Sequence, residues 1–254
     1  MKIYHGKAWQ RTIREQKAKS DVFNLFGEWW KKIDVDIKKA VVQRVSYQTA
    51  VQIIKEYEWL GSMAQRTTHC YGIFYEGYCG GVVCFAIPPT PEAGIGVCGK
   101  EYAPLVKTLA RGACVHWAHP HSASKLIAGA LNNMVENTKF RIFTAYADPM
   151  AGEIGTVYQA TNWIYTGKTG SQIEYFLNGK WRSGRTARHK SYQKRNIDIK
   201  LLPQRKGLGK GRYVWIGGNK IEKREIMKNL RYSILPYPKR DNKKYDAVLT
   251  GNII

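Results

Sequence analysis

Long apolar runs are missing from this sequence of 254 residues. No stretch approaches the roughly 20 consecutive apolar residues that a membrane-spanning helix requires, and residues 1–7 lack the apolar core of a signal peptide. The sequence therefore gives no reason to expect a membrane or secreted protein. We expect a soluble protein that stays in the cytoplasm of the cell in which it is made.

Paired cysteines are also missing. The chain has five cysteines, with no Cys-x-x-Cys pair and no histidines at zinc-finger spacing. An odd and scattered set of this kind fits reduced thiols in a cytosolic protein better than a disulfide framework. The five are Cys70, Cys79, Cys84, Cys98 and Cys114.

Acidic residues are scarce. The chain has 19 Asp and Glu against 41 Lys and Arg, which gives a formal net charge of +22 and a pI near 9.8. Residues 180–254 hold 21 of the basic residues and only 5 acidic ones. Such an excess attracts polyanions, so nucleic acid is the first partner to consider. Ribosomal and virion scaffold proteins share this composition, and the tail alone would also fit that role.

A regular glycine-rich phosphate loop is absent as well. The prolines at residues 88–91 and the glycines up to Gly99 lack the spacing of a phosphate-cradling motif, and this segment is predicted to be a loop. No internal repeat is present. The chemistry must therefore come from other residues.

Residues 107–170 alternate between strand and helix patterns. A first strand over residues 107–118 ends at His119-Pro120, and Ser122 or Ser124 is predicted to cap a helix over residues 125–136. A strand leading into a helix start is an arrangement that binds anions. An aromatic and β-branched strand over residues 140–147 follows, then a short helix over 156–161 and a strand from Ile164.

The flanking segments extend the same α/β pattern. We predict a strand over residues 41–45, a helix over 47–57 capped by Ser46, and hairpins over 68–87 and 172–183. Residues 201–211 are predicted to be an exposed loop, residues 212–216 a short strand and residues 220–230 a basic helix. Apolar residues between 23 and 33 predict an amphipathic helix in an N-terminal arm.

Two side chains stand where an α/β sheet places its ligands. Asp148 ends the second strand of the central region, and Tyr158 follows it by ten residues. A carboxylate can accept a proton from an attacking amine, and a phenol can supply one to a leaving group. Arg111, within the first strand, would hold an anionic donor or stabilise developing negative charge. The structural alternatives are a loop cap for Asp148, packing under the sheet for Tyr158 and an edge position for Arg111.

Three histidines lie near the predicted strand end. His116, His119 and His121, with Asp148 nearby, offer the ligand types that suit iron or another transition metal. Their spacing around a proline is more typical of histidines without a metal. The sequence therefore does not predict a metal site, although iron stays open as a cofactor.

Two sets of residues carry a family resemblance. Tyr158-Gln-Ala-Thr-Asn-Trp163, followed by Ile164-Tyr-Thr-Gly167, resembles a late segment of the GNAT acyltransferase fold. A wider set over about residues 41–190 resembles the Mom family of phage DNA-modification proteins, which share that fold. The wider set is Arg111, Ser124-Lys125, Tyr146-Ala-Asp148 and Val157-Tyr-Gln-Ala160.

The resemblance implies a fold and an activity. The fold is a GNAT-like mixed sheet flanked by helices in residues 41–190, with an N-terminal arm in 1–40 and a basic nucleic-acid-binding extension in 191–254. The activity is transfer of a carbamoylmethyl group to the exocyclic amine of adenine in phage DNA, which protects it from restriction. The catalytic residues would be Asp148, Tyr158, Arg111 and Ser124.

The donor is less well defined. In ordinary acetyl-CoA transferases, a glycine-containing loop before the helix wraps the pyrophosphate. In this chain the corresponding loop is Trp117-Ala-His-Pro-His-Ser-Ala-Ser124. This departure puts acetyl-CoA in doubt, although acetyl-CoA stays open as the donor. The donor is expected to be a small molecule of unknown identity. The oligomeric state also stays open.

A base in duplex DNA must leave the stack to reach such a site. The substrate-binding candidates are Trp59 and Ser62, from the segment that borders the acceptor site in this kind of fold, with Trp117 and Trp163. Phosphates would be bound by Arg182, Arg185, Arg188, Lys190, Lys194 and Arg195. The alternatives are an acyltransferase acting on a protein or RNA amine, and a non-catalytic phage DNA-binding accessory protein.

Overall fold

A seven-stranded mixed sheet flanked by helices forms the centre of the protein. The computed structural model describes residues 8–21, 29–177, 180–184 and 198–239. The strand order is β1-β2-β3-β4-β5-β10-β6, and every neighbouring pair is antiparallel except β4 and β5. The predicted mixed α/β fold is confirmed. Its strands are β1 (Val41–Arg44), β2 (Thr67–Tyr75), β3 (Tyr78–Ala86), β4 (Val106–Cys114), β5 (Ile142–Ala147), β6 (Ile164–Lys168) and β10 (Gly211–Ile216).

Six helices and a smaller sheet complete the described fold. The small sheet has the order β8-β7-β9, and its β7–β8 hairpin is the one predicted from Asn178-Gly179. The elements are α1 (Trp9–Asp21), α2 (Tyr47–Tyr57), α3 (Pro91–Cys98), α4 (Ser122–Asn137), α5 (Thr156–Ala160), α6 (Lys220–Lys228), β7 (Ile173–Leu177), β8 (Lys180–Ser183) and β9 (Gln204–Lys206). Among the described residues, no helix has the length and apolar character needed to cross a membrane.

Local sequence explains the first elements of the main sheet. The hydroxyl of Ser46 accepts the N–H of Thr49 and caps α2, as predicted. The β2–β3 hairpin turns at Glu76 and Gly77, whose φ values of 47° and 86° are both positive. A two-residue turn of this kind matches the twist of the flanking strands, which explains why the hairpin forms at this point.

The parallel strands β4 and β5 separate part of the way along their length. They pair from Val106 and Ile142 to Leu109 and Ala145. Beyond this point β4 continues to Cys114 and stays paired with β3. The other side of this part of β4 therefore faces a gap in the sheet.

The predicted domain boundary after residue 190 is wrong. Strand β10 lies inside the main sheet, where Val214 pairs with Thr144 of β5 and with Ile164 of β6. Tyr213 and Val214 are fully buried. Residues 211–216 are therefore part of the main domain, because β10 lies between β5 and β6 in the sheet and pairs with both. Residues 185–197 and 240–254 lie outside the described part of the chain.

Four local predictions also need correction. Residues 91–98 form α3, capped by the hydroxyl of Thr90, instead of a loop. The predicted loop over residues 201–211 contains β9. The N-cap of α4 is His121, and the hydroxyls of Ser122 and Ser124 donate to main-chain carbonyls, so neither serine caps the helix. In the N-terminal arm the helix is α1, and residues 29–32 form a single 3₁₀ turn; residues 22–28 lie outside the described part.

Candidate functional site

The gap between the separating strands is a cleft of about 780 Å³. Its walls come from α1, the segment after α2, strands β3 and β4, helix α4, the end of β5, α5 and the residue before β10. The charged and phenolic groups in the lining are Arg11, Arg14, Glu58, Arg66, Arg111, Tyr146, Asp148, Glu153, Tyr158 and Lys210. Asp148, Tyr158 and Arg111, three of the predicted catalytic residues, thus share one cleft.

Two donors hold the carboxylate of Asp148. The N–H of Met150 donates to Oδ1 at 2.9 Å, and Lys210 Nζ lies 2.8 Å from Oδ2. The first contact arises because Pro149 starts a 3₁₀ turn directly after β5. Asp148 is only 8% exposed. It therefore presents a fixed carboxylate at the strand end, as expected for a ligand-contacting residue.

Glu153 lies behind Asp148. Its Oε2 accepts the main-chain N–H of Asp148 at 3.2 Å. Burial raises the pKa of Glu153 to about 7, with a further contribution from the carboxylates of Asp148 and Glu58, while the N–H of Asp148 and the charge of Lys210 act in the opposite direction. A carboxyl group with a pKa near neutrality can both take up and release a proton during a reaction.

Tyr158 faces the same cleft from α5. Its ring packs against Trp163 and Tyr213, with centroid distances of 5.3 and 5.2 Å. Burial raises the pKa of the Tyr158 hydroxyl above its usual value, and the carboxylate of Glu153 adds to the effect. The phenol therefore stays protonated at neutral pH and is available as a hydrogen-bond donor.

Arg111 and Glu58 form the opposite wall. Arg111 donates from Nε to the carbonyl of Ser62 at 2.7 Å, and the same nitrogen lies 4.0 Å from Glu58 Oε2. Glu58 accepts the N–H groups of Leu60 and Gly61. Burial raises the pKa of Glu58, against the charge of Arg111. Arg111 is thus a partly buried cation in the cleft wall, and Ser62 takes part through its main chain.

The other predicted site residues are placed less directly. Trp59 lines the cleft. Ser124, in the first turn of α4, donates to the carbonyl of His121 at 3.0 Å. Trp117 packs edge-on against Tyr75, and Trp163 is fully buried under the ring of Tyr158. The structure therefore brings only Trp59 of these four into the cleft lining, and Trp163 supports Tyr158 from below.

The histidines are engaged with other groups. His116 Nδ1 lies 3.0 Å from the hydroxyl of Tyr57, and its ring meets the edge of Trp30. His119 Nδ1 accepts the N–H of His121 at 3.1 Å. Across the described ranges, no group of three or more His, Cys, Asp or Glu residues is arranged to hold a metal ion.

The predicted phosphate contacts fall mostly outside the described residues. Arg182 belongs to β8, where it pairs with Tyr175 of β7. The remaining five, Arg185, Arg188, Lys190, Lys194 and Arg195, lie outside the described part of the chain.

Sequence reasoning missed two groups of the cleft lining, Glu153 and Lys210, and also Tyr213, whose ring packs against Tyr158. Glu153 was treated as part of a loop, Lys210 as part of an exposed loop and Tyr213 as one residue of a short strand. Gly155, two residues after Glu153, has φ +81° and no room for a Cβ, because the ring of Tyr213 lies against it. The hydroxyl of Tyr213 donates to the carbonyl of Ile154.

The loop before α4 is closed by internal hydrogen bonds. The N–H groups of Ala118 and Ser122 donate to carbonyls within the loop, and that of His121 to the ring of His119. From α1, Arg14 donates to the carbonyls of His116 and Ala118. These N–H groups are therefore not directed outward as in a cradle for a pyrophosphate group.

Comparison with known proteins identifies a family. The model of the Mom protein family matches residues 39–239, a range that includes β10 and α6. No match to the chain was found among curated proteins.

Several acetyltransferases of known structure are similar to this chain. An IAA acetyltransferase from Bacillus cereus ATCC 14579 has 12% identity and a TM-score of 0.39, with 70% of this chain and 100% of that chain covered. A spermidine N-acetyltransferase from Vibrio cholerae in complex with CoA and spermine has 6% identity and a TM-score of 0.41, with 75% and 99% covered.

Proposed function

Because the chain belongs to the Mom protein family, we propose that it transfers a small acyl-like group, carbamoylmethyl, to the exocyclic amine of adenine in DNA. Family membership and the mixed α/β fold support a group-transfer role in general. The observation that carries the specific proposal is the position of Glu153 behind the Asp148–Lys210 pair in a cleft that also holds Tyr158. Modified DNA would resist restriction enzymes.

The acceptor amine needs help from a base. Its lone pair is delocalised into the purine ring, so it attacks well only if its proton is accepted as the new bond forms. In our proposal the N6–H donates to the carboxylate of Asp148, and the proton released as the N6–C bond forms goes to Glu153. A pKa of about 7 for Glu153 matches this task at neutral pH.

The leaving group, in contrast, needs a proton donor. When the bond between the transferred carbon and the donor breaks, the electron pair stays with the donor fragment, which then takes a proton from the Tyr158 hydroxyl. The raised pKa of Tyr158 keeps that proton in place until the step occurs. Arg111, in the opposite wall, would stabilise negative charge on the donor.

The donor in this proposal is a small molecule that enters the cleft. The loop before α4 does not direct its N–H groups outward for a pyrophosphate, because Ala118, His121 and Ser122 already donate within it. These three N–H groups are therefore not available to the pyrophosphate of CoA.

Mass analysis of nucleosides tests the proposal. DNA from cells that express the protein should contain an adenosine of increased mass, which should be absent with Glu153→Gln. Glu56→Gln is the matched control, because Glu56 is an exposed carboxylate on α2 outside the cleft lining, and modification should persist. Unmodified DNA together with a modified protein or RNA amine would favour the acyltransferase alternative. Unmodified DNA that is still bound tightly would favour the accessory role.

A further inference from the structure

One face of the small sheet carries an aromatic pair with an arginine. Phe176 of β7 pairs with Trp181 of β8, and Glu174 pairs with Arg205 of β9. Directly paired residues point to the same side of a sheet, and residues two apart on a strand share a face. Phe176, Trp181 and Arg205 therefore form one surface, which we call the aromatic face.

Contacts within the aromatic face fix its geometry. The rings of Phe176 and Trp181 lie 5.3 Å apart between centroids, at an angle of 57°. The guanidinium of Arg205 lies 4.4 Å from the centre of the Trp181 ring and 2.8 Å from the carboxylate of Glu174. Trp181 is thus covered on one side by an arginine, and Phe176 is held against its edge.

The ring of Phe176 is open to solvent. Phe176 is 39% exposed, whereas its neighbours Tyr175 and Leu177, which point to the other side of β7, are buried. A phenylalanine held against Trp181 at the surface keeps part of its flat apolar ring exposed to solvent. A planar apolar ligand is the natural complement of such an area.

The charge of the chain segment that contains β8 and β9 selects among planar ligands. Residues 180–210, which include β8 and β9, contain 11 Lys and Arg against a single acidic residue, Asp198. A polyanion with planar groups satisfies both features, because its charge is attracted by the segment and its rings stack on the aromatic side chain. Single-stranded nucleic acid is the polymer with this combination.

The aromatic face is close to the cleft along the chain. Arg205 and Lys210 are five residues apart, a path of at most about 18 Å when fully extended, and Lys210 forms the ion pair with Asp148. This length corresponds to about five base steps of roughly 3.4 Å each. A strand with one base in the cleft can therefore reach the aromatic face with a nearby base.

We propose that the aromatic face binds an unstacked base of the DNA strand that carries the target adenine. The identity of the polymer rests on the proposed function. Stacking on Phe176 would hold the strand open next to the extruded adenine and would offset part of the energy needed to separate the bases.

An abasic oligonucleotide separates stacking from charge. Affinity is measured for a single-stranded oligonucleotide and for an abasic strand of the same length and charge. Phe176→Ala should weaken binding of the first by roughly 5- to 150-fold and leave binding of the second unchanged. Phe176→Tyr, which keeps the ring, should bind like the wild type. Ile173→Ala is the matched control, because Ile173 is an exposed apolar residue on the other face of β7.

Three outcomes would overturn the proposal: an equal loss on both strands, no loss on either, or the same loss with Ile173→Ala. Nucleoside mass analysis of the same variants keeps this separate from the proposed function. Suppose that the wild type leaves adenosine unmodified, while Phe176→Ala weakens binding of the intact strand only. This result would contradict the proposed function but not the proposed role of the aromatic face. If the wild type modifies adenosine but Phe176→Ala affects both strands equally, only the proposed role of the aromatic face is contradicted.

Discussion

Asp148 depends on two donors for its orientation, and its substitution by asparagine tests its role. Asp148→Asn keeps the size of the side chain and an oxygen that can accept the Met150 N–H, but it removes the charge that pairs with Lys210. We expect adenine modification to fall by roughly 10²- to 10⁴-fold, as measured by nucleoside mass analysis. DNA affinity should stay nearly intact. A loss of binding instead would mean that Asp148 contacts DNA without taking part in the reaction.

Tyr158 offers a substitution that removes one atom. Tyr158→Phe keeps the ring and its packing against Trp163 and Tyr213, so we expect thermal stability to change little. Modification should be lost, since the proton donor for the leaving group is gone. Retained modification would show that the phenol only packs under the sheet. Tyr47→Phe on α2, where Tyr47 is exposed, is the matched control.

The raised pKa of Glu153 predicts that the stability of the folded protein falls as pH rises. Its pKa is raised from 4.5 to about 7 in the folded protein, so the folded state binds its proton more tightly than the unfolded state. The stability that this provides is fully present below pH 4.5 and is lost as pH rises through 7. At pH 8, Glu153→Gln should therefore have a higher free energy of unfolding than the wild type, by on the order of 3 kcal/mol, as measured by denaturant unfolding.

The same substitution should change the activity profile. If Glu153 accepts the amine proton, the wild-type rate should rise with pH through about 7, where the carboxyl ionises, and the rate of Glu153→Gln should be low without this rise. A rise of the same size in the variant would assign the titration to another group.

Strand β10 joins the basic region to the main domain. It carries buried Val214 between β5 and β6, and Lys210, which pairs with Asp148, directly precedes it. Lys210 and strand β10 come after residues 180–206 in the chain, and they complete the cleft and the sheet. A truncation after residue 182 would remove them together and would not isolate DNA binding.

One buried and one exposed position test whether β10 belongs to the main domain. Val214→Asp puts a charge at a fully buried position, whereas Ile221→Asp changes a residue of α6 that is 75% exposed. We expect the first to lower the free energy of unfolding by more than about 3 kcal/mol and the second by less than about 0.5 kcal/mol. Urea denaturation followed by circular dichroism measures both. Equal effects would support a detachable extension.

The sequence predicted elements more accurately than their arrangement. Helix α2 and the β2–β3 hairpin follow from local signals, namely the Ser46 cap and the Glu76-Gly77 turn. The position of β10 could not be predicted, since it depends on a pairing with β5 some 70 residues earlier in the chain. Proline and glycine made residues 91–98 look like a loop, although proline is tolerated in the first turn of a helix.

The candidate site shows the same division. Asp148 was predicted because it ends a recognisable strand, and Tyr158 because it lies in a recognisable short helix ten residues later. The cleft contains both. Glu153 and Lys210 were missed because their importance comes from burial and from contacts across the chain, and neither is visible in a local pattern. The pKa of Glu153 in particular depends first on burial and then on Asp148 and Glu58.

At the scale of the whole molecule, the net charge of +22 is concentrated in the region that contributes Lys210 to the cleft. Each Lys or Arg that neutralises a phosphate steepens the fall of log affinity with log salt by about 0.9 for duplex DNA. Replacing five residues by glutamine should therefore flatten this slope by up to about 4.5, and β10 stays in place. The five are Arg185, Arg188, Lys190, Lys194 and Arg195.

The control for this experiment replaces Lys17, Lys38, Lys55, Lys100 and Lys139 by glutamine, which removes the same charge from the first 179 residues. Affinity is measured for one duplex over a series of salt concentrations. If Arg185, Arg188, Lys190, Lys194 and Arg195 contact phosphates, the variant that lacks them should show a much shallower slope than the control variant. Both variants carry the same net charge. Equal slopes would mean that binding responds only to total charge, and an unchanged slope in the first variant would argue that these five residues serve assembly instead.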